Sequence, residues 1–280
     1  MKISYHASLI SSLFIISTAL TSQYSFASNN SNTQCINGNQ PLKVAFWNVW
    51  FNGSTKEYFF GDYTSKNHWS EIHNVVRSVN PNVLALSEVM FPDSSNVRVG
   101  LAAPMKNIDF NWYYFYQKKA YFGDALLTDL PLYFSVNNKY KIQKIKNDKD
   151  TEVRGFINTR FDYKDDYLSV YVTHLTLDKN KNKLQIEELA SDLRKDRSRR
   201  ILLLGDFNNN IDVDFEPIVS LGFKMINKNN ELNAYNHDGD HHWYGDRVFY
   251  KGFSKLTSYK LVNVPKELSD HKLLYAEVCP

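Results

Sequence analysis

One run constrains this chain more than any other: Ile201-Leu202-Leu203-Leu204-Gly205-Asp206-Phe207-Asn208. Four apolar residues lead straight into a glycine, then a carboxylate and a carboxamide two positions apart. An unbroken apolar run of this length reads as a strand buried on both faces. Gly205 lets the backbone turn or approach a neighbour closely. Asp206 and Asn208 are thereby delivered to the edge of a sheet. Taken alone, the run fits a turn with an Asp and an Asn equally well, so the question is what the other strands bring to the same edge.

Several do. Leu42 to Trp47 reads as a strand ending at Asn48, and Val83 to Leu86 as one ending at Glu88. Between them, Trp69, Ile72, Val75, Val76 and Val79 recur at helical spacing until Pro81 stops the helix. Trp112 to Gln117 and Ala125 to Leu127 are strand-like. Arg154 to Phe161 and Tyr167 to Val172 form a pair turning at 162–166, the second ending at Thr173-His174. Lys181 to Lys195 is an amphipathic helix with Leu184, Ile186, Leu189, Ala190 and Leu193 inward, and a cationic cluster, Arg194 to Arg200, follows as a solvated helix end. Late strands begin after Asp246 and after Asp270-His271. If these run antiparallel to the early ones, Asn48, Glu88, His174, Asp206, Asn208, Asp246, Asp270 and His271 all meet at one edge.

That set points to chemistry. Glu88, Asp206, Asp246 and Asp270 would bring four carboxylates together, and close like charges do not all ionise cheaply unless a cation joins them. The donors are hard oxygens with no cysteine among them, which favours Mg²⁺, or Mn²⁺ or Ca²⁺, over zinc. Two histidines suit a phosphate-ester hydrolase, because imidazolium can hydrogen-bond the phosphate oxygens as charge develops. Asp246 would hold His271 oriented and charged. Asp206 could accept the proton of an attacking water that Asn208 positions.

The length of 280 residues and 43% hydrophobic content suit a single large globular domain, here 41–280. Residues 1–27 carry a short basic start, an apolar stretch from Leu9 to Leu20 and Ser25-Phe26-Ala27, the three regions of an export signal; 28–40 follow as a polar leader. A secreted or periplasmic protein is expected, with no transmembrane segment in the mature chain. In an oxidising compartment, Cys35 and Cys279 are expected to form one disulfide joining the two ends. The net charge of +3 falls to near +2 without Lys2, which is no strong nucleic-acid signature.

The ordered set of motifs resembles the endonuclease/exonuclease/phosphatase superfamily. The matching pieces are Val44-Ala45-Phe46-Trp47-Asn48-Val49, Leu84-Ala85-Leu86-Ser87-Glu88-Val89, Gly123-Asp124-Ala125-Leu126-Leu127, Val153-Arg154-Gly155, Val172-Thr173-His174-Leu175, Leu204-Gly205-Asp206-Phe207-Asn208, Asp246-Arg247-Val248-Phe249 and Ser269-Asp270-His271. The resemblance implies an α/β fold, a four-layer sandwich of two packed mixed β-sheets flanked by helices, and a divalent-metal-dependent phosphoesterase. It implies Glu88 as principal metal ligand, with Asp270 and Asn48 completing the site. Asp206 and Asn208 would handle the attacking water, Asp246 would pair with His271, His174 would contact the scissile phosphate, and Arg154 would help bind it. Asp124 departs from the asparagine, and Lys272 from the aromatic residue, that many relatives carry there.

A nuclease is the first reading of the substrate, drawing basic contacts from the Arg194 to Arg200 cluster, and a monomer is expected. A sphingomyelinase or other phospholipid or inositol-phosphate phosphoesterase is the second, since export and aromatics suit a membrane surface. A non-catalytic binding protein that kept the fold is the third. The loop His237-Asp238-Gly239-Asp240-His241-His242-Trp243 reads as a solvated turn, the aromatic run Trp112 to Phe122 as a strand, and Asn52-Gly53-Ser54 as a glycosylation sequon that has meaning in a eukaryotic secretory pathway.

Overall fold

The computed structural model describes residues 35, 38–50, 69–90, 107–115, 120–140, 154–164, 166–236 and 241–280. Residues 1–27, expected from the sequence to be an export signal, most of the expected leader, the sequon at Asn52 and residues 237–240 of the histidine-rich loop lie outside them.

Two six-stranded sheets form the centre. The first has the order β11(Lys255–Val262), β12(Leu273–Cys279), β1(Leu42–Asn48), β2(Val83–Met90), β4(Ala120–Thr128), β3(Asn107–Phe115). The second has the order β5(Leu132–Lys139), β6(Gly155–Tyr163), β7(Asp166–His174), β8(Arg200–Asp206), β10(Asp246–Lys251), β9(Lys224–Ile226). Helix α1(Trp69–Val79) packs on the outer face of the first sheet. Helices α2(Lys179–Lys195) and α3(Glu216–Val219) pack on the outer face of the second.

Strand β8 shows why its run is apolar throughout. Leu202 and Leu204 face the first sheet, in a core with Val44, Phe46, Ala85 and Leu274. Ile201 and Leu203 face the other way, toward Ile186, Leu189 and Leu193 of α2. With both faces covered there is no polar position to alternate with. Strand β1 divides likewise, Val44 and Phe46 inward, Ala45 and Trp47 toward α1.

Helix α2 corrects one inward assignment. Ile186, Leu189, Ala190 and Leu193 are buried as expected, but Leu184 is exposed and Asn182 and Gln185 are buried instead. Leu184 sits two residues before Ile186, which turns it to the far side of a 3.6-residue helix. The helix starts at Lys179, capped by Asp178, whose side chain accepts from the N–H groups of Asn180 and Lys181.

Strands β5, β9 and β11 are absent from the sequence reading, and all three are sheet edges. An edge strand has one side unpaired and a polar composition, so its signal is weak. Strand β2 also runs on past Glu88 to Met90, with a register shift between Leu86 and Val89. The aromatic run does pair as a hairpin, Tyr113 opposite Phe122 and Tyr114 opposite Tyr121. Cys35 and Cys279 are joined by a disulfide, tying the approach to β1 onto the end of β12.

The register fixes the site. Strand β8 runs parallel to β7, with His174 beside Asp206, and antiparallel to β10, with Asp246 beside Asp206. Strand β1 runs parallel to β2 and antiparallel to β12. The ends of β1, β2, β7 and β8 and the starts of β10 and β12 therefore share one edge.

Candidate active site

The second sheet builds one corner of that edge. Gly205 is needed for close approach: a Cβ there would lie 2.1 Å from the carbonyl oxygen of Thr173 on β7. That contact holds His174 and Asp206 side by side. Beyond the strand, the Asn208 N–H donates to Asp206 Oδ1 at 3.0 Å, and Asn208 takes φ 50°, a left-handed conformation that asparagine tolerates. The Asn208 amide donates to Leu175 O at 2.7 Å, fastening the β8 turn to the β7 turn.

Asp246 is fully buried and meets His271 Nδ1 at 2.9 Å through Oδ2 and 3.1 Å through Oδ1. Burial alone would strip the charge from His271. Asp246, by charge and hydrogen bond, with Asp206 and Asp270 behind it, outweighs that and lifts the pKa to about 10. His271 is thus an imidazolium whose Nε2 stands 3.9 Å from both Asp206 Oδ2 and Asp270 Oδ1. Its backbone is fixed too: its N–H donates to Ser269 Oγ at 2.9 Å, and its carbonyl accepts from Trp47 Nε1 at 2.9 Å.

His174 differs from the expectation of a second imidazolium. Burial, then the Arg154 cation and His271, hold its pKa well below the usual 6.5. It is a neutral ring with Nε2 at 3.6 Å from Asp206 Oδ2 and 4.0 Å from Glu88 Oε1.

The first sheet builds the other corner. Glu88 sits at the β2 irregularity with φ 58°, a strained setting for a residue with a Cβ. Burial raises its pKa to about 7, with Asp270 and Asp206 adding to the rise and Asn48 and His271 opposing it. Asn48 bridges the corners, its amide donating to Glu88 Oε1 at 3.0 Å and to Asp206 Oδ2 at 3.2 Å, while its own oxygen accepts from the Trp50 N–H. In this arrangement Asn48 offers a partial positive charge between two carboxylates.

These residues fit a hard divalent cation. Glu88, Asp270 and Asp206 lie in one another's field, and Asp270 and Asp206 add to the rise that burial causes in the Glu88 pKa. Asp206, Asp246 and His271 also bring ligand atoms within 4.8 Å of one another. Both oxygens of Asp246 are engaged by His271 Nδ1, so that trio is a charge pair beside a carboxylate, and the carboxylates that could hold a cation are Glu88, Asp270 and Asp206.

Other expected contributors fall in three places. Arg154 is buried at the start of β6, close enough to His174 to depress it. Asp124 is buried and accepts from Ser87 Oγ at 2.8 Å, directly behind Glu88 in the chain. Lys272 donates to Asn233 O at 3.4 Å on the rim. The Arg194 to Arg200 cluster is a correction: Arg200 opens β8 and Asp206 closes it, so the cluster lies at the opposite end of the strand, roughly 20 Å away. It does not line the edge itself and could meet only a substrate long enough to span that distance.

The sequence reading left Trp243 in a solvated turn and missed its place in the site. Its ring meets that of His271 edge-on at 6.1 Å and lies over Gly245, where a Cβ would come within 2.9 Å of the indole. A tryptophan three residues before Asp246 was legible as a neighbour of the site, but not its contact with a histidine 28 positions away. Asn182 and Asn209 were also missed; they join the β7 and β8 turns from beneath.

A two-sheet sandwich with acids, histidines and amides gathered at one edge defines a phosphoesterase fold. The sequence profile of the Endonuclease/Exonuclease/phosphatase family matches residues 45–271, and the chain belongs to that family, whose enzymes use divalent metals. Solved structures agree on the fold. An endonuclease/exonuclease/phosphatase from Beutenbergia cavernae is similar at TM-score 0.68 and 16% identity, over 86% of this chain and 72% of that one. The human Nocturnin catalytic domain with bound sulfate gives 0.64 and 17%, over 85% and 93%. D. rerio TDP2 complexed with a single-strand DNA product gives 0.63 and 13%, over 86% and 100%. No curated protein matches the sequence significantly.

Proposed function

We propose that the protein is an exported, divalent-metal-dependent phosphodiesterase that cleaves by water attack. The observation that carries this reading is the pairing of a charged His271, held by Asp246, with Asp206 3.9 Å from its Nε2, beside the raised Glu88 carboxyl. Glu88 and Asp270 would hold the cation, with Asn48 and Asp206 at its margin. Bound there, the metal supplies Lewis-acid polarisation of the phosphate and stabilises charge on the leaving oxygen. Asp206 accepts a proton from the water that attacks phosphorus, and Asn208 orients that water. His271 donates through Nε2 to a non-bridging oxygen, where negative charge grows in the transition state. His174, neutral, donates a single N–H on the other side. Burial keeps His174 neutral, and Arg154 adds to that and supplies positive potential. The P–O bond to the leaving group breaks, and the departing alkoxide takes its proton from solvent.

A nuclease is the leading form of this reading. The rings of Tyr235, Trp243 and Tyr244 border the His271 side of the edge and could stack on bases. The TDP2 neighbour holds a single-strand DNA product. A phospholipid headgroup is the second form, since the segments that follow His174 and Asn208 carry exposed Leu177, Leu184, Ile211 and Val213. The test is one panel: plasmid DNA, RNA, sphingomyelin and an inositol phosphate, each with Mg²⁺ and with EDTA. Hydrolysis of at least one substrate that stops in EDTA is expected. EDTA-resistant cleavage, or no cleavage of any diester, overturns the reading.

A further inference from the structure

The alternation of side chains along β2 breaks at one place. Val83 and Ala85 face the second sheet, and Leu84 and Leu86 face α1, as in any regular strand. Continued, that alternation would turn Ser87 inward, Glu88 toward α1 and Val89 inward again. Val89 instead packs with Leu84 and Leu86 on the α1 side. One extra residue has entered the strand between Leu86 and Val89.

The pairing with β4 shows where it sits. Leu86 stands opposite Ala125 and Val89 opposite Gly123, so Ser87 and Glu88 together face the single residue Asp124. Two residues against one make a β-bulge, which re-aims side chains next to a site. Without the bulge, the Glu88 carboxyl would be directed to the apolar layer of Ile72, Val75 and Val76 on α1. With it, Glu88 Oε1 accepts from the Asn48 amide at 3.0 Å and comes within 4.0 Å of His174 Nε2 on the second sheet.

Ser87 is fastened on both sides of the bulge. Its carbonyl accepts from the Val49 N–H at 3.0 Å, tying it to the end of β1. Its hydroxyl donates to Asp124 Oδ1 at 2.8 Å, tying it to β4. With Ser87 fixed, Glu88 takes up the extra length, and it does so at φ 58°. A residue with a Cβ stays in that region when its surroundings compel it. Ser87 and Asp124 are both fully buried. Asp124 shares the face of β4 that continues as Leu126 in the core between the sheets. A carboxyl in such a place is costly unless it is bonded, and this one bonds the residue just before Glu88.

We propose that Asp124 is a positioning residue: by gripping the Ser87 hydroxyl it locks the bulge that aims Glu88 at the cation site. The claim rests on the reading of Glu88 as a metal ligand and extends it to the group that sets the ligand's direction. Asp124 itself touches neither substrate nor metal. Partners that orient a metal ligand typically carry about 10–100-fold in metal affinity.

The test uses the full chain and reads Mg²⁺ binding by calorimetry. Ser87→Ala and Asp124→Ala each remove one half of the bond and should each weaken Mg²⁺ binding by about 10–100-fold. The double variant Ser87→Ala/Asp124→Ala should lose no more than the weaker-binding single variant, as two halves of one bond do. Asp124→Asn keeps an acceptor oxygen for Ser87 and should bind Mg²⁺ nearly as the parent does. A crystal structure of metal-free Ser87→Ala should show Glu88 out of the left-handed region or its carboxyl away from Asn48. That readout needs no metal, so it judges the positioning even if the parent binds none. Circular dichroism melting identifies the folded variants, and Ser87→Ala, which removes a single oxygen, carries the test should Asp124→Ala fail to fold. Parental Mg²⁺ affinity in a folded Ser87→Ala, additive losses, Asp124→Asn as weak as Asp124→Ala, or Glu88 unmoved in Ser87→Ala overturns the positioning and leaves the phosphodiesterase reading standing. The expected losses in a protein whose parent hydrolyses no diester support the positioning and overturn the phosphodiesterase reading instead.

Discussion

The two sheets end at the same edge with their acids partnered differently. On the second sheet each acid has a partner: Asp246 holds the His271 imidazolium, and Asp206 accepts from the Asn208 N–H and the Asn48 amide. On the first sheet Glu88 has one amide donor, and burial, with Asp270 and Asp206 adding to it, lifts its pKa to about 7, as burial lifts that of Asp246 on the second sheet to about 6. One corner holds the imidazolium, and the other feels that charge only from a distance. On the reading proposed above, the corner of β7, β8 and β10 would handle protons and the corner of β1 and β2 would bind the cation. That division also explains why Asn48 lies across the boundary.

The sharpest way to break this division is to disable the two corners separately. Asp206→Ala and His271→Ala should each lower diester hydrolysis by about 10²–10⁴-fold, with circular dichroism and Mg²⁺ binding by calorimetry largely kept for His271→Ala. If His271→Ala turns over at near the parental rate, the second sheet is not the catalytic corner.

The first-sheet corner should answer to metal and pH. Glu88 has a folded pKa of about 7 against an ordinary 4.5, so the folded state holds a proton that the unfolded state gives up earlier. The metal-free protein should therefore lose stability as pH rises from about 4.5 through about 7, by about 3 kcal/mol in total. Glu88→Gln should flatten that slope in EDTA and cost at least tenfold in Mg²⁺ affinity, and saturating Mg²⁺ should flatten it for the parent protein. Melting curves from pH 5 to pH 8 with and without EDTA decide this. A slope identical in Glu88→Gln and parent would mean that burial and the neighbouring carboxylates do not hold a proton on Glu88.

Legibility followed burial. β8 could be read because both of its faces are covered, leaving Gly205 and Asp206 as abrupt exceptions. The edge strands β5, β9 and β11 could not, because half of each faces solvent and their residues mix polar and apolar without a firm period. The eight edge residues were found because each adjoins a buried strand. Their protonation was not: His174 and His271 both follow or precede strands, and only three-dimensional neighbours make one neutral and the other charged. Position within a strand also escaped the sequence. The arginines before Ile201 are close to Asp206 in number, yet a strand separates its two ends, and β8 puts them at opposite sides of the sheet.

The coupling between corners and scaffold runs through Gly205. Alanine there must push its Cβ against Thr173 O, a backbone atom that no side-chain motion relieves. Gly205→Ala should destabilise the fold by about 1–3 kcal/mol and also lower hydrolysis, because β7 and β8 must part where His174 and Asp206 meet. A loss of stability with unchanged kcat in the surviving folded protein would show that the His174 to Asp206 spacing is not critical.

The far end of the same two strands supplies the mildest comparison. Asp196, just past α2, is buried, which would raise its pKa, but the Ser198 N–H, the Ser169 and Ser198 hydroxyls and Tyr171 outweigh that and hold it below its ordinary value. Arg160 also reaches it at 3.3 Å. A carboxyl with a lowered folded pKa contributes stability above its unfolded pKa and loses it as pH falls through the folded value. Asp196→Asn should therefore cost about 1 kcal/mol at neutral pH, with the difference from the parent shrinking in acid below pH ~4. Its kcat should not change, since β8 separates it from Asp206 by the full length of the strand. Were Asp196→Asn to impair hydrolysis as strongly as Gly205→Ala, the two ends of β7 and β8 would be mechanically linked, and the catalytic corner could no longer be treated as set by its own edge alone.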